Sequence, residues 1–264
     1  MLNYLFKIWI IFCLAFSWGF AKDPKNFKPN QVFKTDKVDP QTRGLELMKK
    51  NKALPQAKSF QSHSLMRIYK DNHSVLKEFE NLNKKGIGRD YLLFSFLKPT
   101  RLKLLIHSYP NRADDQWLRL SSGKIKRIRG RDRERFFVNS HFCYEELQST
   151  EIEKYHYKFL REIRFKKWNC FQVEAQKKQD KIYDKLIYYL RKSDYFVVRV
   201  DFFQKGKFIK YLEKDKIKKI NNILTPFLLT MQLPGSQDKT VIELKSIKYN
   251  LPLKDYQFSK GALR

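Results

Sequence analysis

The chain has 264 residues, of which 42% are hydrophobic and 15% aromatic, with only 9 Gly and 9 Pro. That composition is globular, is long enough to bury a sizeable core, and excludes a disordered tail protein. The formal net charge of +28 reads either as a Lys-rich solvated face or as attraction to an anionic partner, for which nucleic acid, anionic lipid head groups and an acidic protein are the classes to weigh.

The first stretch narrows that choice. Met1 to Ala21 sets Lys7 ahead of an apolar run, Ile8 to Phe16, and ends on small residues at Gly19 and Ala21. This is the pattern of a cleaved export signal over residues 1–21, with cleavage before Lys22. An uncleaved anchor is the other reading, but the apolar run is short for a membrane span. Cys13 lies inside that run with no lipobox before it, so no lipid-modified N-terminus is expected. Export places the chain in the periplasm, where it meets membranes and envelope polymers and no nucleic acid. Lys22 to Thr42 is polar, with Pro24, Pro29 and Pro40, and reads as a flexible leader over residues 22–42. Residues 43–264 read as one domain.

Gly44 to Ala53 has helical spacing, with Leu45 and Met48 on one side, and Pro55 ends it. From Lys58 the period changes to two. Phe60, Ser62, Ser64, Met66 and Ile68 fall on one face, and Gln61, His63, Leu65, Arg67 and Tyr69 on the other. Asp71-Asn72-His73 signals a turn, and Val75 to Leu82 returns. Arg89 to Leu97 and Arg101 to Tyr109 make the next pair, broken at Lys98-Pro99-Thr100. Gln116 to Leu120 is a short strand. It turns at Ser121-Ser122-Gly123 into a basic strand, Lys124 to Arg129, followed by Phe136-Phe137-Val138 and a helical turn over Phe142 to Leu147.

Glu151 to Arg164 is ambiguous between strand and helix. Trp168 to Gln176, Ile182 to Lys192, Tyr195 to Gln204, Phe208 to Glu213 and Ile217 to Ile223 read as strands, as do Thr225 to Gln232 and Thr240 to Tyr249. Gln204-Lys205-Gly206-Lys207 and Pro234-Gly235-Ser236 are turns. About ten short antiparallel strands with regular turn signals predict a barrel or a curved sheet.

The stretch Asp114 to Leu147 resembles the LolA-like family of outer-membrane lipoprotein-sorting proteins, in which a segment of the type "dQWLyLP…kvrRI…F.gSdFsyeDL" recurs. Gln116, Trp117, Leu118, Lys126, Arg127 and Ile128 carry the likeness, together with Phe136 or Phe137, Ser140, Phe142, Tyr144, Glu146 and Leu147. Asn139 stands where the family has Gly, His141 where it has Asp, and Ser121-Ser122 where it has Pro. Pro99 and Arg101 match the family's "kP.r" turn, and Asp255 to Leu263 its closing pattern, so the likeness runs from about Gly44 to Arg264. It implies a mainly β fold with a few helices, an incomplete antiparallel β-barrel whose helices cover an apolar cavity.

No catalytic constellation stands out. The five histidines are His63, His73, His107, His141 and His156, and no HExxH, CxxC or GxSxG motif occurs. Neither enzyme activity nor a cofactor or metal is expected. Glu145-Glu146 and Asp114-Asp115 read as solvated carboxylates. Cys143 and Cys170 are either bridged, as an oxidising compartment allows, or two buried thiols. The resemblance implies a binder of lipid or of an acylated lipoprotein. Candidate cavity walls are Phe60, Met66, Ile68, Leu93, Leu104, Ile106, Trp117 and Val198, for which plain core packing is the competing reading. Lys126, Arg127, Arg129 and Arg131 are candidates for docking lipid head groups, a membrane surface or an inner-membrane transporter or exporter, against a simple wet sheet face. A monomer is expected. The rival to a carrier is a basic envelope scaffold beside an exporter, with no lipid cargo.

Overall fold

The computed structural model describes residues 38–97, 99–110, 112–147, 151–179 and 182–264. The expected export signal and the leader as far as residue 37 lie outside the described residues.

The chain enters the fold as a helix, α1 (Pro40–Lys52). It starts inside the stretch expected to be leader, because Asp39 caps it and Pro40 fits a first turn. The Asp39 carboxylate accepts from the Thr42 amide at 2.9 Å. Lys49, Lys50 and Lys52 occupy the last turn, where the helix dipole favours cations. Strands follow: β1 (Ser59–Lys70), β2 (His73–Lys85), β3 (Asp90–Phe96), β4 (Lys103–Ser108), β5 (Asp115–Arg119) and β6 (Ile125–Ile128). A crossover built of short 3-10 turns leads to β7 (Tyr155–Phe165), β8 (Trp168–Lys177), β9 (Lys185–Arg191) and β10 (Val197–Gln204). Then come β11 (Lys207–Ile220), β12 (Ile223–Gln232) and β13 (Lys239–Tyr249).

All pair antiparallel in one open sheet ordered β6-β5-β4-β3-β2-β1-β13-β12-β11-β10-β9-β8-β7. The incomplete antiparallel barrel is therefore present. It has more strands than the pattern suggested and, among the described residues, one α-helix where a few helices were expected. The ambiguous stretch after Leu147 is strand β7. The two segments read around Lys214 to Lys216 are one long strand, β11, bent at Lys216, whose φ is +49°.

This order imposes a crossing. β6 and β7 are consecutive in sequence yet form the two outer edges, so residues 129–147 and 151–154 must travel from one edge to the other. They do so over one face of the sheet. Phe137 is fully buried there, its ring 5.5 Å from those of Phe94, Phe96 and Tyr144. Beside it lie Met66, Ile68, Leu104, Ile106 and Leu118, the same-parity residues of β1, β4 and β5. A second cluster on this face holds Leu47 and Met48 of α1 with Phe142, Val173, Leu190, Val200 and Met231. The alternation read along β1 holds: Ser62, Ser64, Met66 and Ile68 are buried, and Gln61 and Arg67 are exposed.

On the opposite face, the C-terminal segment covers β3 to β5 and reaches Leu82 of β2. There Tyr91, Leu93, Leu105 and Trp117 pack beneath Phe258 and Leu263 of the C-terminal segment. His107 bonds the Phe258 carbonyl at 2.8 Å, and the Lys103 ammonium donates to the Ala262 carbonyl at 2.8 Å. Strand β4 is thus buried on both faces.

Neither sheet edge is left bare. β6 is short and carries Lys126 and Arg127, which discourage edge pairing. β7 is covered by α1, and Gly44 makes that contact close. A Cβ at Gly44 would lie 2.7 Å from the Phe159 amide nitrogen and 2.8 Å from the Lys158 carbonyl carbon. Both obstacles are backbone, so Gly44→Ala should push the helix off the strand. We expect a loss of about 1–3 kcal/mol in chemical denaturation, with faster amide exchange in α1 than elsewhere. Unchanged stability would mean that the helix does not need this close approach.

Candidate functional site

Between α1, the crossover and the sheet lie two adjoining cavities of about 250 and 480 Å³. Phe142, Leu186, Phe202, Leu212 and Met231 line the smaller one, together with Glu145, Glu146 and Lys177. Met48, Phe60, Phe196, Val197, Leu224 and Tyr249 wall the larger one. Tyr188, Val200 and Lys214 line both, so the cavities meet at these three residues. Each element supplies its residues by alternation. On β11, Lys210, Leu212 and Lys214 share the inner face, while Glu213 faces outward and pairs with Arg199 at 3.0 Å.

The crossover is fastened to the floor of this site by buried polar groups. The Lys210 ammonium lies 2.8 Å from Glu146 Oε1 and donates to the His141 carbonyl at 2.9 Å. Glu146 also accepts from the Tyr183 hydroxyl at 2.5 Å and from the Cys143 amide at 2.9 Å. The His141 amide donates to Thr240 Oγ1 at 2.9 Å, which ties the crossover to β13 in mid-sheet. Glu145 pairs with Lys177 at 2.7 Å. Asp114 is buried and accepts from Ser108 Oγ at 2.8 Å, and Asp115 accepts from Arg127 at 2.5 Å. The expectation that these two acidic pairs are simply solvated is therefore corrected. Adjacent carboxylates diverge as expected, but each finds a partner in a neighbouring element.

Burial shapes the titration here. It pushes the Cys143 thiol up to about 11 and the Tyr155 phenol up to about 12. It raises Tyr183, Tyr188 and Tyr157 as well. The same loss of water lowers the Lys214 ammonium below the usual lysine value. Among the described residues no group of three or more His, Cys, Asp or Glu could hold a metal ion.

The residues proposed as cavity walls are dispersed. Phe60 lines the larger cavity. Met66, Ile68, Leu104 and Ile106 face the same side of the sheet but are filled in by Phe137, and form packed core. Leu93 and Trp117 point to the opposite face, under the C-terminal segment. Val198 is fully buried and outside both linings, because a bulge between Val197 and Arg199 turns Val197 and Val200 inward instead. Lys126, Arg127, Arg129 and Arg131 are exposed together on β6 and the turn after it. Lys126 pairs with Asp132 at 3.1 Å and Arg127 with Asp115. Arg129 and Arg131 have no ion pair among the described residues.

Cys143 and Cys170 are separate free thiols, not a bridge. Cys143 sits in the crossover, 3.3 Å from the Tyr183 hydroxyl, while Cys170 lies on β8 near the Trp168 carbonyl. Sequence reading missed Tyr188, Phe196, Leu212, Lys214 and Met231. A lysine on a strand looks solvent-facing, so the spacing Lys210-Leu212-Lys214 gave no sign of an inner face.

A family model described as an uncharacterized protein matches residues 88–264. Among solved structures, a DUF1329 family protein from Desulfovibrio piger superposes with a TM-score of 0.82 at 23% identity, over 86% of this chain and 100% of that one. A domain from Vibrio parahaemolyticus, named for outer membrane lipoprotein sorting, gives 0.79 at 26% identity over 84% and 98%. A LolA superfamily protein from Nitrosomonas europaea gives 0.65 at 17% identity over 83% and 98%. No curated protein matches the sequence.

Two measurements check the site's construction. Lys210→Met leaves Glu146 buried without its cation and should cost about 3–5 kcal/mol, most of it recovered when Glu146→Gln is added. Equal stabilities of the single and double variants would show that the pair is not coupled. A thiol held near 11 rather than 9.0 carries roughly a hundredfold less thiolate at pH 8. Cys143 and Cys170 should therefore resist iodoacetamide in the folded protein and both react on unfolding. Rapid labelling of the native state, read by mass spectrometry, would contradict their burial.

Proposed function

We propose that this chain, which belongs to the family of uncharacterized proteins whose model spans residues 88–264 and has the LolA-like fold, is a non-catalytic periplasmic carrier. It binds lipids or the acyl chains of lipoproteins, in outer-membrane lipoprotein sorting or envelope lipid transport. The observation that carries this reading is the pair of adjoining cavities, the larger of them mainly apolar and bordered by Met48 of α1. Each methylene moved from water into such a space contributes about 0.8 kcal/mol. A chain of ordinary length is then held firmly without any covalent step. The larger cavity has a size usual for small-molecule sites, about 300–1,000 Å³.

Delivery to this compartment rests on the export signal over residues 1–21, followed by a polar leader that ends where Asp39 caps α1, with the compact unit Val38–Arg264 as the binding domain. The exposed cations Lys126, Arg127, Arg129 and Arg131 form the face that meets anionic head groups or an inner-membrane transporter. The name of the Vibrio parahaemolyticus domain, at 26% identity, supports lipoprotein traffic as the setting.

Native mass spectrometry of the protein purified from the envelope, before and after organic extraction, tests the reading. Extractable mass of phospholipid or acylated peptide is the expected result. Val200→Trp, placed where the cavities meet, should lower uptake of an added acyl chain by at least about tenfold, a change of about 1.4 kcal/mol, with an unchanged circular dichroism spectrum. A bare protein that takes up no added lipid would sink the carrier and favour the scaffold.

A further inference from the structure

The linings of these cavities carry several charged residues, among them Glu145, Glu146, Glu151, Lys154 and Lys177, and one of the cations stands apart from the rest. Lys214 lies on the inner face of β11, between the two cavities. Its neighbour on the same face, Lys210, is fully satisfied by Glu146 and the His141 carbonyl. Lys214 has no carboxylate within ion-pair distance and no hydrogen-bond acceptor among the described residues. Its ammonium stands 5.5 Å from the centre of the Phe196 ring. Lys214 is half-buried, and an ammonium held there without a partner gains nothing that methionine would not supply by filling the same space.

A second polar group is left open in the same place. Tyr157 is 5% exposed and lines the larger cavity, and its hydroxyl has no hydrogen-bond partner among the described residues. Buried hydroxyls are ordinarily paired, so an orphan on a cavity wall marks where a ligand atom belongs. Tyr188 adds a phenol beside Lys214 on both linings. A cation and two phenols in an apolar wall make a site for one negative charge attached to hydrocarbon.

We propose that Lys214 is the counter-ion for the anionic head of a bound amphiphile, with Tyr157 and Tyr188 as hydroxyl donors and the apolar tail filling the cavities. The ligand class is a single alkyl or acyl chain ending in a carboxylate or phosphate. This rests on the acyl-binding reading and adds to it the orientation of the ligand: the head lies inside, at the junction of the cavities, instead of at the solvent opening.

The test compares dodecanoate, dodecyl phosphate and 1-dodecanol by isothermal titration on the folded protein and on Lys214→Met. In the wild type at least one anionic ligand should bind about tenfold or more tightly than the alcohol, as one charge-assisted contact provides. The tighter of the two anions identifies the head. Lys214→Met should lose that preference while still binding dodecanol, and an unchanged circular dichroism spectrum shows that the variant is folded. Equal affinities of acid, phosphate and alcohol in the wild type, or a preference that survives Lys214→Met, would overturn the counter-ion while leaving acyl binding intact. No binding of any of the three would overturn both.

Discussion

The fold depends on one buried ion pair and the hydrogen bonds around it. Because β6 and β7 are the two edges of the sheet, the residues between them have to cross its inner face. A crossing strand of backbone brings amides and carbonyls into an apolar space, where each must be paired. Lys210 and Glu146, with His141, Thr240 and Tyr183, provide that pairing from β11, β13 and the loop before β9. Fixed in this way, the crossover divides the inner face into two parts. On one side Phe137 fills the space completely. On the other, Phe142 reaches less far, and the cavities remain. The cavities are what the crossover leaves unfilled.

The helix and the C-terminal segment solve a related problem at the periphery. A thirteen-stranded open sheet has two edges and two faces, and all four need management. α1 covers the β7 edge, made possible by the missing Cβ of Gly44. The C-terminal segment covers the outer face where β3, β4 and β5 present Tyr91, Leu105 and Trp117. Charges serve the rest. The outer surface of β10 and β11 carries Arg199 between Asp201 and Glu213, at 2.6 and 3.0 Å. These pairs keep a polar face soluble and contribute little individually to stability. The large positive excess is therefore spread over the surface, with only part of it on the basic strand.

Much of this was legible in the sequence, for reasons that also explain the failures. Period-two alternation in β1 names its buried face correctly, because the register shift opposite His63 and Ser64 puts its extra residue, Lys245, on β13 and leaves β1 regular. The tryptophan motif at Gln116 to Leu118 marks a real strand and, through its likeness, the whole fold. Alternation assigns each residue to one of two faces but does not say which face holds the cavity. Leu93 and Trp117 went to the wrong side for that reason, since the C-terminal segment buries the outer face as thoroughly as the crossover buries the inner one. Val198 was displaced by a bulge, which shifts parity without leaving a signature in composition. Lys210, Lys214 and Glu146 were invisible as interior groups because their partners come from distant segments, and a charged residue by itself reads as surface.

The sheet is two meanders joined at a single seam. β1 pairs with β13, so Phe60 lies opposite Tyr249. Every other neighbour in the sheet is also the next strand in sequence, and can form as soon as a hairpin closes. The seam cannot. It waits for the last strand to be made, and such distant pairings are slow to find. Until then β1 offers an unpaired edge with Met66 and Ile68 uncovered, and the groove has no far wall. Closing this seam is therefore the one pairing in the sheet that no local hairpin can supply, and it depends on the arrival of β13.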